Sequence, residues 1–135
     1  MKYTVIEETK KDFYPTYQAM CHQHNFPAFA YPILPESVFV CYNEDKEVLY
    51  SMWAYQTDSC LLWLGFPVSN LDIKPENRIG AFDYLISEIE QWAKRQNYLF
   101  IFTTTGNKSV VNALENNEFK IGDTNVDHYY KIINT

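Results

Sequence analysis

The sequence predicts a single α/β (α+β) domain in which a mixed sheet carries helices on its faces. The chain has 135 residues, a length typical of one domain. Aromatic residues make up 17% of it, which favours a packed core over disorder. The elements follow in the order β, α, three strands, α, β, α and two strands, and this order is typical of a mixed sheet. We therefore expect residues 1–135 to form one domain.

The first half of the chain is predicted to contain four strands and one helix. Runs rich in β-branched and aromatic residues predict strands over residues 3–7, 37–42, 47–55 and 60–68. The last run is apolar on both faces, so we expect it inside the sheet. A helix should start at Thr9, which can cap it, or nearer Pro15, and end at about His24. The aromatic, proline-rich loop 25–35 should cover a surface or line a pocket.

The second half contains the clearest helical pattern of the chain. Apolar residues recur with helical spacing from residue 78 to residue 96, at Ile79, Phe82, Leu85, Ile86, Ile89 and Trp92. A strand is predicted over residues 98–103 and a second helix over residues 109–116. Two further strands, residues 119–121 and 128–133, are predicted on either side of a turn.

Composition excludes several classes of function. The net charge is −6 and no basic stripe is present, so we expect neither a nucleic-acid partner nor a membrane partner. The three cysteines are odd in number and widely spaced, which favours a reducing cytoplasm. The group formed by Cys21, His22 and His24 does not have the spacing of a zinc knuckle, so no metal site is predicted.

Two short motifs lie at the two helices predicted in the second half of the chain. Asn77-Arg78-Ile79-Gly80-Ala81-Phe82 opens the long helix, and residues 107–119 begin with Asn-Lys-Ser-Val and end with Glu-Phe. In these motifs and in the order of its elements, the segment from Val38 to Ile133 resembles the GNAT N-acetyltransferases. The run 102–105 and the turn at Gly122 are similar to phage-encoded members. The resemblance implies a mostly antiparallel central sheet of about seven strands with helices on both faces.

The resemblance also implies a cofactor and a reaction. GNAT enzymes transfer acetyl from acetyl-CoA to an amine, and their pyrophosphate site is the start of the long helix, where N–H groups are unpaired. Their pantetheine arm follows the strand that splays from its neighbour, which here corresponds to Leu64 to Ser69. Pro67 lies inside this strand, and we expect it at a gap or bulge because proline cannot donate to a ladder. Asn107 and Ser109 either contact the cofactor or simply cap the second helix. The predicted cofactor-binding residues are Val68, Ser69, Asn70, Asn77, Arg78, Ile79, Gly80, Ala81, Phe82, Asn107 and Ser109.

Three positions depart from the GNAT pattern. Phe82 replaces a small residue, and its ring either enters the core or fills the pyrophosphate site. Leu114 stands where the family has its acid, a tyrosine, and Glu118 stands where it has a glycine. Tyr129 or Tyr130 is then the substitute acid. The candidate bases are Glu36, Glu47, Asp58, Asp72, His22 and His24.

These departures leave two functions open. The first is acetyl-CoA-dependent acetylation of a small-molecule or peptide amine, with Phe26, Phe29 and Tyr31 of the aromatic loop at the acceptor. The second is a catalytically inactive GNAT-fold binding or structural protein, for example a phage virion or host-interaction component. A homo-oligomer or a complex with a protein partner is compatible with both.

Overall fold

Residues 2–133 are described by the computed structural model, and five strands and three α-helices lie within them. In chain order these are β1 (Thr4–Thr9), α1 (Lys10–Gln23), β2 (Ser37–Tyr42), β3 (Val48–Gln56), β4 (Leu61–Ser69), α2 (Ala81–Arg95), β5 (Phe100–Thr103) and α3 (Lys108–Asn116). Short 3₁₀ turns are formed by Tyr31–Ile33 and Pro75–Asn77. No helix in this part of the chain is both long enough and apolar enough to cross a bilayer.

The strands form one mixed sheet in the order β1-β2-β3-β4-β5. The first four are antiparallel to their neighbours, and β5 is parallel to β4. A parallel pair needs a long connection, which here contains α2. The predictions of a mixed, mostly antiparallel sheet and of β4 inside it are confirmed.

Alternating side chains of the strands separate two cores. On β2, Phe39 and Cys41 face the cluster that contains α2 and α3, whereas Val38 and Val40 face the cluster that contains α1. Neighbouring residues of a strand point to opposite faces, so a strand apolar on both faces needs cover on each. Helices therefore lie on both faces of the sheet, as predicted.

Helix α1 begins where its cap predicts. The Thr9 hydroxyl accepts a hydrogen bond from the Asp12 N–H at 3.3 Å, and Pro15 lies inside the helix rather than at its start. The buried Lys10 ties the following loop to the helix, because its ammonium donates to the carbonyl of Leu34 at 2.9 Å. The aromatic loop is thereby held as a defined surface beside the sheet.

The prediction of two final strands was wrong. Residues 119–121 and 128–133 form no strand, and the described sheet has five strands rather than seven. Phe119 still packs against the α2–α3 core, but residues 120–133 are all exposed. A β-type run has no internal hydrogen bonds, so it becomes a strand only where another strand pairs with it. In the described chain nothing pairs with this segment.

Candidate functional site

Strands β4 and β5 separate at one end of the sheet. Their pairing covers Leu61 to Leu64 of β4, while β4 continues to Ser69 without a partner on that side. The Thr103 hydroxyl donates to the Leu64 carbonyl at 2.9 Å, at the point where the two strands part. Backbone groups of β4 beyond Leu64 therefore face an opening.

A bulge in β4 coincides with this separation. Ser51 pairs with Val68 and Trp53 pairs with Gly65, so Phe66 and Pro67 together stand opposite a single residue of β3. Phe66 has a φ of 52°, in the left-handed region. Proline has no N–H for the ladder and is expected at such a bulge. The sequence-based placement of Pro67 at a gap or bulge is confirmed.

The N-terminus of α2 is open at the same end of the sheet. Gly80 precedes the helix with a φ of 75°, and no side chain caps this terminus. Among residues 2–133, the N–H groups of Phe82 and Asp83 have no hydrogen-bond acceptor. Unpaired N–H groups and the helix dipole together favour an anion at this position.

Arg78 adds a positive charge beside this helix terminus. Its Nε donates to the Ile73 carbonyl at 2.9 Å, and a terminal nitrogen donates to the Tyr50 hydroxyl at 3.0 Å. Both acceptors are neutral, and within the described chain no carboxylate forms an ion pair with Arg78. The guanidinium is therefore held in place with its charge uncompensated.

These features line one cleft of about 420 Å³. Eight of the eleven predicted cofactor-binding residues contribute to its wall, namely Val68, Ser69, Arg78, Ile79, Gly80, Phe82, Asn107 and Ser109. They come from β4, from the approach to α2 and from the start of α3. Residues that are distant in sequence thus converge on one concave surface, which is the usual form of a ligand site.

The other three predicted residues lie outside the cleft lining. Ala81 is buried in the core, and Asn77 ends an exposed 3₁₀ turn. Asn70 has a structural role, since its amide donates to the Val48 carbonyl at 2.8 Å and its N–H to the Leu49 carbonyl.

Asn107 and Ser109 lie at the cleft as parts of the α3 cap. The Asn107 side chain accepts hydrogen bonds from the N–H groups of Ser109 at 2.9 Å and Val110 at 3.3 Å. Capping, the simpler of the two roles predicted for these residues, is therefore present in the structure.

Two of the three departures from the motif pattern are core residues. Phe82 is only 9% exposed, and its ring packs against Tyr50 with centroids 5.2 Å apart. Leu114 is 8% exposed and lies in the same core. Phe82 therefore contributes to the cleft wall without filling the cleft, whereas Leu114 lacks a hydroxyl and does not line the cleft.

Only one of the six candidate bases lines the cleft, and it is His24. Its Nε2 lies 2.9 Å from the Ser69 carbonyl oxygen and 3.1 Å from the Ser69 hydroxyl. Because a carbonyl can only accept, Nε2 carries the proton of the neutral ring and Nδ1 is the basic nitrogen. The ring also stacks on Phe26, with centroids 5.0 Å apart.

The remaining base candidates lie away from the cleft. Two of them have other partners. Glu36 forms an ion pair with Lys10 at 3.5 Å, and the Glu47 carboxylate accepts a hydrogen bond from the Asn43 side-chain amide in a hairpin turn. Tyr129 and Tyr130, expected to supply the acid, are each 91% exposed and lie outside the cleft lining.

Tyr50 is among the cleft residues that sequence reasoning missed. Its hydroxyl accepts the Arg78 hydrogen bond, so its own proton is free to be donated. It lies directly opposite Ser69 in the β3–β4 pairing. A tyrosine in a hairpin strand gives no signal in the sequence, and only the register across the bulge brings it to the cleft.

The cysteines and acids do not gather into a metal site. Cys21 is buried in the α1 core while His22 is exposed. Within residues 2–133, no three His, Cys, Asp or Glu side chains are placed to hold a metal ion. Cys21, Cys41 and Cys60 are all free thiols.

No protein-family model matches the sequence, and no curated protein matches it significantly. Solved structures do match the fold. A probable acetyltransferase superposes with a TM-score of 0.72 at 11% identity, over 98% of this chain and 99% of that one. The ribosomal-protein-S18-alanine N-acetyltransferase from Escherichia coli gives 0.69 at 13% identity, over 90% and 80%.

An aminoglycoside acetyltransferase from an uncultured soil metagenomic sample, in complex with sisomicin, gives a TM-score of 0.64 at 17% identity, over 98% and 97%. These superpositions establish a common fold, whereas sequence identities this low do not establish a common activity. The activity has to be argued from the cleft itself. The chain has the fold of the GNAT acetyltransferases, as its motifs and order of elements predicted.

Proposed function

We propose that this protein is an acetyl-CoA-dependent N-acetyltransferase that acts on an amine. One observation carries the proposal: the gap between β4 and β5 opens into the same cleft as the uncapped N-terminus of α2. A long ligand with an anionic end and an amide-containing arm fits this pairing of features. The GNAT fold supports the same assignment at the level of the fold.

The α2 terminus would hold the pyrophosphate. The N–H groups of Phe82 and Asp83 supply donors, and the Arg78 guanidinium adds charge-assisted hydrogen bonds. Asp83 also lines the cleft, but its carboxylate accepts a hydrogen bond from Asn116 at 3.0 Å. Asp83 is the acidic residue in the first turn of α2, and this hydrogen bond holds its carboxylate against α3.

The unpaired side of β4 would hold the pantetheine arm. Backbone groups from Gly65 to Val68 that point away from β3 have no partner in β5, so they are free to pair with amides of the arm. The bulge at Phe66 and Pro67 turns the strand away from the regular ladder. Acetyl-CoA is consumed in the reaction, and it supplies the thioester carbon that the amine attacks.

His24 would act as the base and Tyr50 as the acid. Nδ1 of His24 accepts the proton that the ammonium form of the acceptor must lose before its nitrogen attacks the thioester. As the new C–N bond forms and the C–S bond breaks, the Tyr50 hydroxyl donates its proton to the departing sulfur, and the resulting phenolate takes the second proton that the acetylated nitrogen loses. Phe26, stacked on His24, belongs to the loop predicted to bind the acceptor. Positioning within the cleft would supply much of the rate.

Thermal melting with and without acetyl-CoA tests the cofactor part of this proposal. A ligand present at a hundredfold excess over its Kd adds about 2.7 kcal/mol to the free energy of unfolding. We expect a clear rise for the wild type, a smaller rise for Arg78→Gln, and a rise like that of the wild type for Arg95→Gln. Arg95 is exposed at the far end of α2, so it controls for a loss of net charge.

A second pair of variants tests whether the cleft itself is the site. Asn112 is exposed on α3 and lines the cleft, whereas Glu115 is exposed on the same helix and does not. Asn112→Trp should abolish the rise and Glu115→Trp should keep it. Absence of a rise in the wild type at millimolar acetyl-CoA would overturn the proposal in favour of a non-catalytic GNAT-fold protein.

A further inference from the structure

Two side-chain amides join the end of α1 to the end of β4. Gln23 is the last residue of α1, and Asn70 follows the last residue of β4. The Gln23 amide nitrogen donates to the Asn70 side-chain oxygen at 3.0 Å, and the Gln23 oxygen accepts from the Leu71 N–H at 2.8 Å. These bonds link residues 47 and 48 positions apart in the chain, so they fix one element against another.

Backbone groups determine the orientation of both amides. The Asn70 nitrogen donates to the Val48 carbonyl at 2.8 Å, while its oxygen accepts from the Asp72 N–H at 3.0 Å. Because a carbonyl only accepts and an N–H only donates, Asn70 must present its oxygen to Gln23. Gln23 must then present its nitrogen to Asn70 and its oxygen to Leu71. Turning either amide over would set like groups against each other, so the pair has one arrangement.

The contact between His24 and Ser69 lies directly beside this pair. His24 follows Gln23 and caps the C-terminus of α1, and Ser69 precedes Asn70. Nε2 of the ring lies 2.9 Å from the Ser69 carbonyl oxygen. All four side chains are partly buried, whereas residues 25–27 are exposed. The restraint on the ring therefore comes mainly from α1 and β4, which the amide pair holds together.

A base needs a more closely fixed position than a helix terminus provides by itself. Helix ends fray, and a general base must stay within hydrogen-bond reach of the proton that it removes. While Nε2 donates to the Ser69 carbonyl, Nδ1 of His24 is the nitrogen that accepts a proton. Loss of this contact lets the ring turn and populate both neutral forms.

We propose that Gln23 and Asn70 are positioning residues for His24. They keep Nε2 on the Ser69 carbonyl and thereby leave Nδ1 as the basic nitrogen at the cleft. Their role in catalysis depends on the proposed function of His24 as the base. Neither Gln23 nor Asn70 lines the cleft, so both act through the ring, as supporting hydrogen bonds do around other functional side chains.

The tautomer of His24, read from its ring nitrogens in proton–nitrogen NMR spectra, tests the positioning without any ligand. The chain has three histidines, and His24→Gln identifies the signals of this one. In mildly alkaline solution a histidine ring is neutral. We expect wild-type His24 to carry its proton on Nε2 alone and Gln23→Met to populate both tautomers. Gln18→Met, at an exposed site of the same helix, should keep the wild-type signals.

A double-mutant cycle on acetyl transfer from acetyl-CoA to phenethylamine gives a second readout. Gln23→Met should lower kcat/KM by up to about 100-fold, because a displacement of about 1 Å at a reacting group has effects of this size. In the His24→Gln background the same substitution should have no further effect, since the pair acts only through the ring. A merely structural role would lower the rate by the same factor in both backgrounds.

Asn70→Ala breaks the pair from the β4 side and replaces Gln23→Met if that variant fails to fold, as judged by circular dichroism. The proposal is overturned if His24 keeps the Nε2 proton in these variants, or if it populates both tautomers in the wild type. Equal losses of rate in the two backgrounds of the cycle would overturn it as well.

Failure of this proposal can be told from failure of the proposed function. The tautomer measurement needs neither acetyl-CoA nor an acceptor, so it remains decisive for a protein that binds no cofactor or does not acetylate phenethylamine. Conversely, Gln23→Met should keep the rise in melting temperature with acetyl-CoA, because the substituted side chain lies outside the cleft lining.

Discussion

Substitution of Gly80 by alanine tests whether the start of α2 depends on a left-handed residue. Gly80 has a φ of 75°, and a Cβ built there meets no heavy atom within 4 Å. Crowding therefore contributes nothing to the effect, and the cost is the backbone strain of an L-residue, about 1–2 kcal/mol. For a domain of this size, a loss of that magnitude lowers the Tm by roughly 4–8 °C.

Gly106→Ala is the matched control. A Cβ at Gly106 also meets nothing within 4 Å, and its φ is not positive, so the same atom is added without strain. Alanine at such a site leaves stability unchanged or raises it by about 0.4–1 kcal/mol. Gly80→Asn should fall between the two variants, because asparagine tolerates the left-handed region better than alanine does.

Calorimetry of Gly80→Ala, Gly106→Ala and Gly80→Asn without ligand measures the cost of the left-handed backbone at position 80. Equal melting temperatures for Gly80→Ala and Gly106→Ala would refute the argument from φ. Gly80→Trp has the same strain as the alanine variant and adds a bulky ring at the cleft. Its loss of the acetyl-CoA-induced rise, measured against its own ligand-free Tm, then reports on the cleft alone.

Three further predictions concern the proposed chemistry and the core. Tyr50→Phe should lower kcat for a primary amine by roughly 10²–10⁴-fold with little change in Tm, and an unchanged kcat in steady-state kinetics would exclude Tyr50 as the acid. His24→Gln should lower kcat/KM by a similar factor and keep the acetyl-CoA-induced rise in Tm; His22→Gln, at an exposed neighbour, should leave both at wild-type values. Burial raises the pKa of the Cys41 thiol from 9.0 to about 12, so the folded chain keeps a proton that the unfolded chain loses. The free energy of unfolding should therefore fall from pH 9 towards pH 12, and less steeply in Cys41→Val; equal slopes in urea titrations would contradict this.

The sequence predicted the elements well wherever the information is local. Hydrophobic spacing placed α2, the Thr9 hydroxyl placed the start of α1, and Pro67 indicated a bulge in β4. Each depends on residues a few positions apart, whose backbone preferences act before any tertiary contact forms. The boundaries moved by one to three residues, as for α2, which begins at Ala81 because Gly80 turns the chain there.

The final strands could not be predicted in this way. A β-type composition indicates that a segment is able to form a strand. The strand forms only where another strand lies beside it and accepts its backbone hydrogen bonds. Residues 128–133 have the composition and, in the described chain, no partner. The acid candidate Tyr50 was missed, and His24 could not be singled out among the six candidate bases, for a related reason. The two residues come to one cleft only through the register of β3 with β4 and the position where α1 ends.

The positions at which the motifs depart from the GNAT pattern carry different weights once their surroundings are known. Phe82 suggested a blocked site, yet its ring packs on Tyr50 and helps to fix the residue that also binds Arg78. Leu114 removes a hydroxyl, but at a position whose side chain lies in the core and outside the cleft lining. An altered motif residue argues against binding only when its side chain occupies the ligand's space. The cleft of this protein retains the unpaired N–H groups at the start of α2, the gap between β4 and β5 and the positive charge of Arg78. Whether the protein catalyses acetyl transfer therefore depends on Tyr50 and His24 rather than on the residues that differ from the pattern.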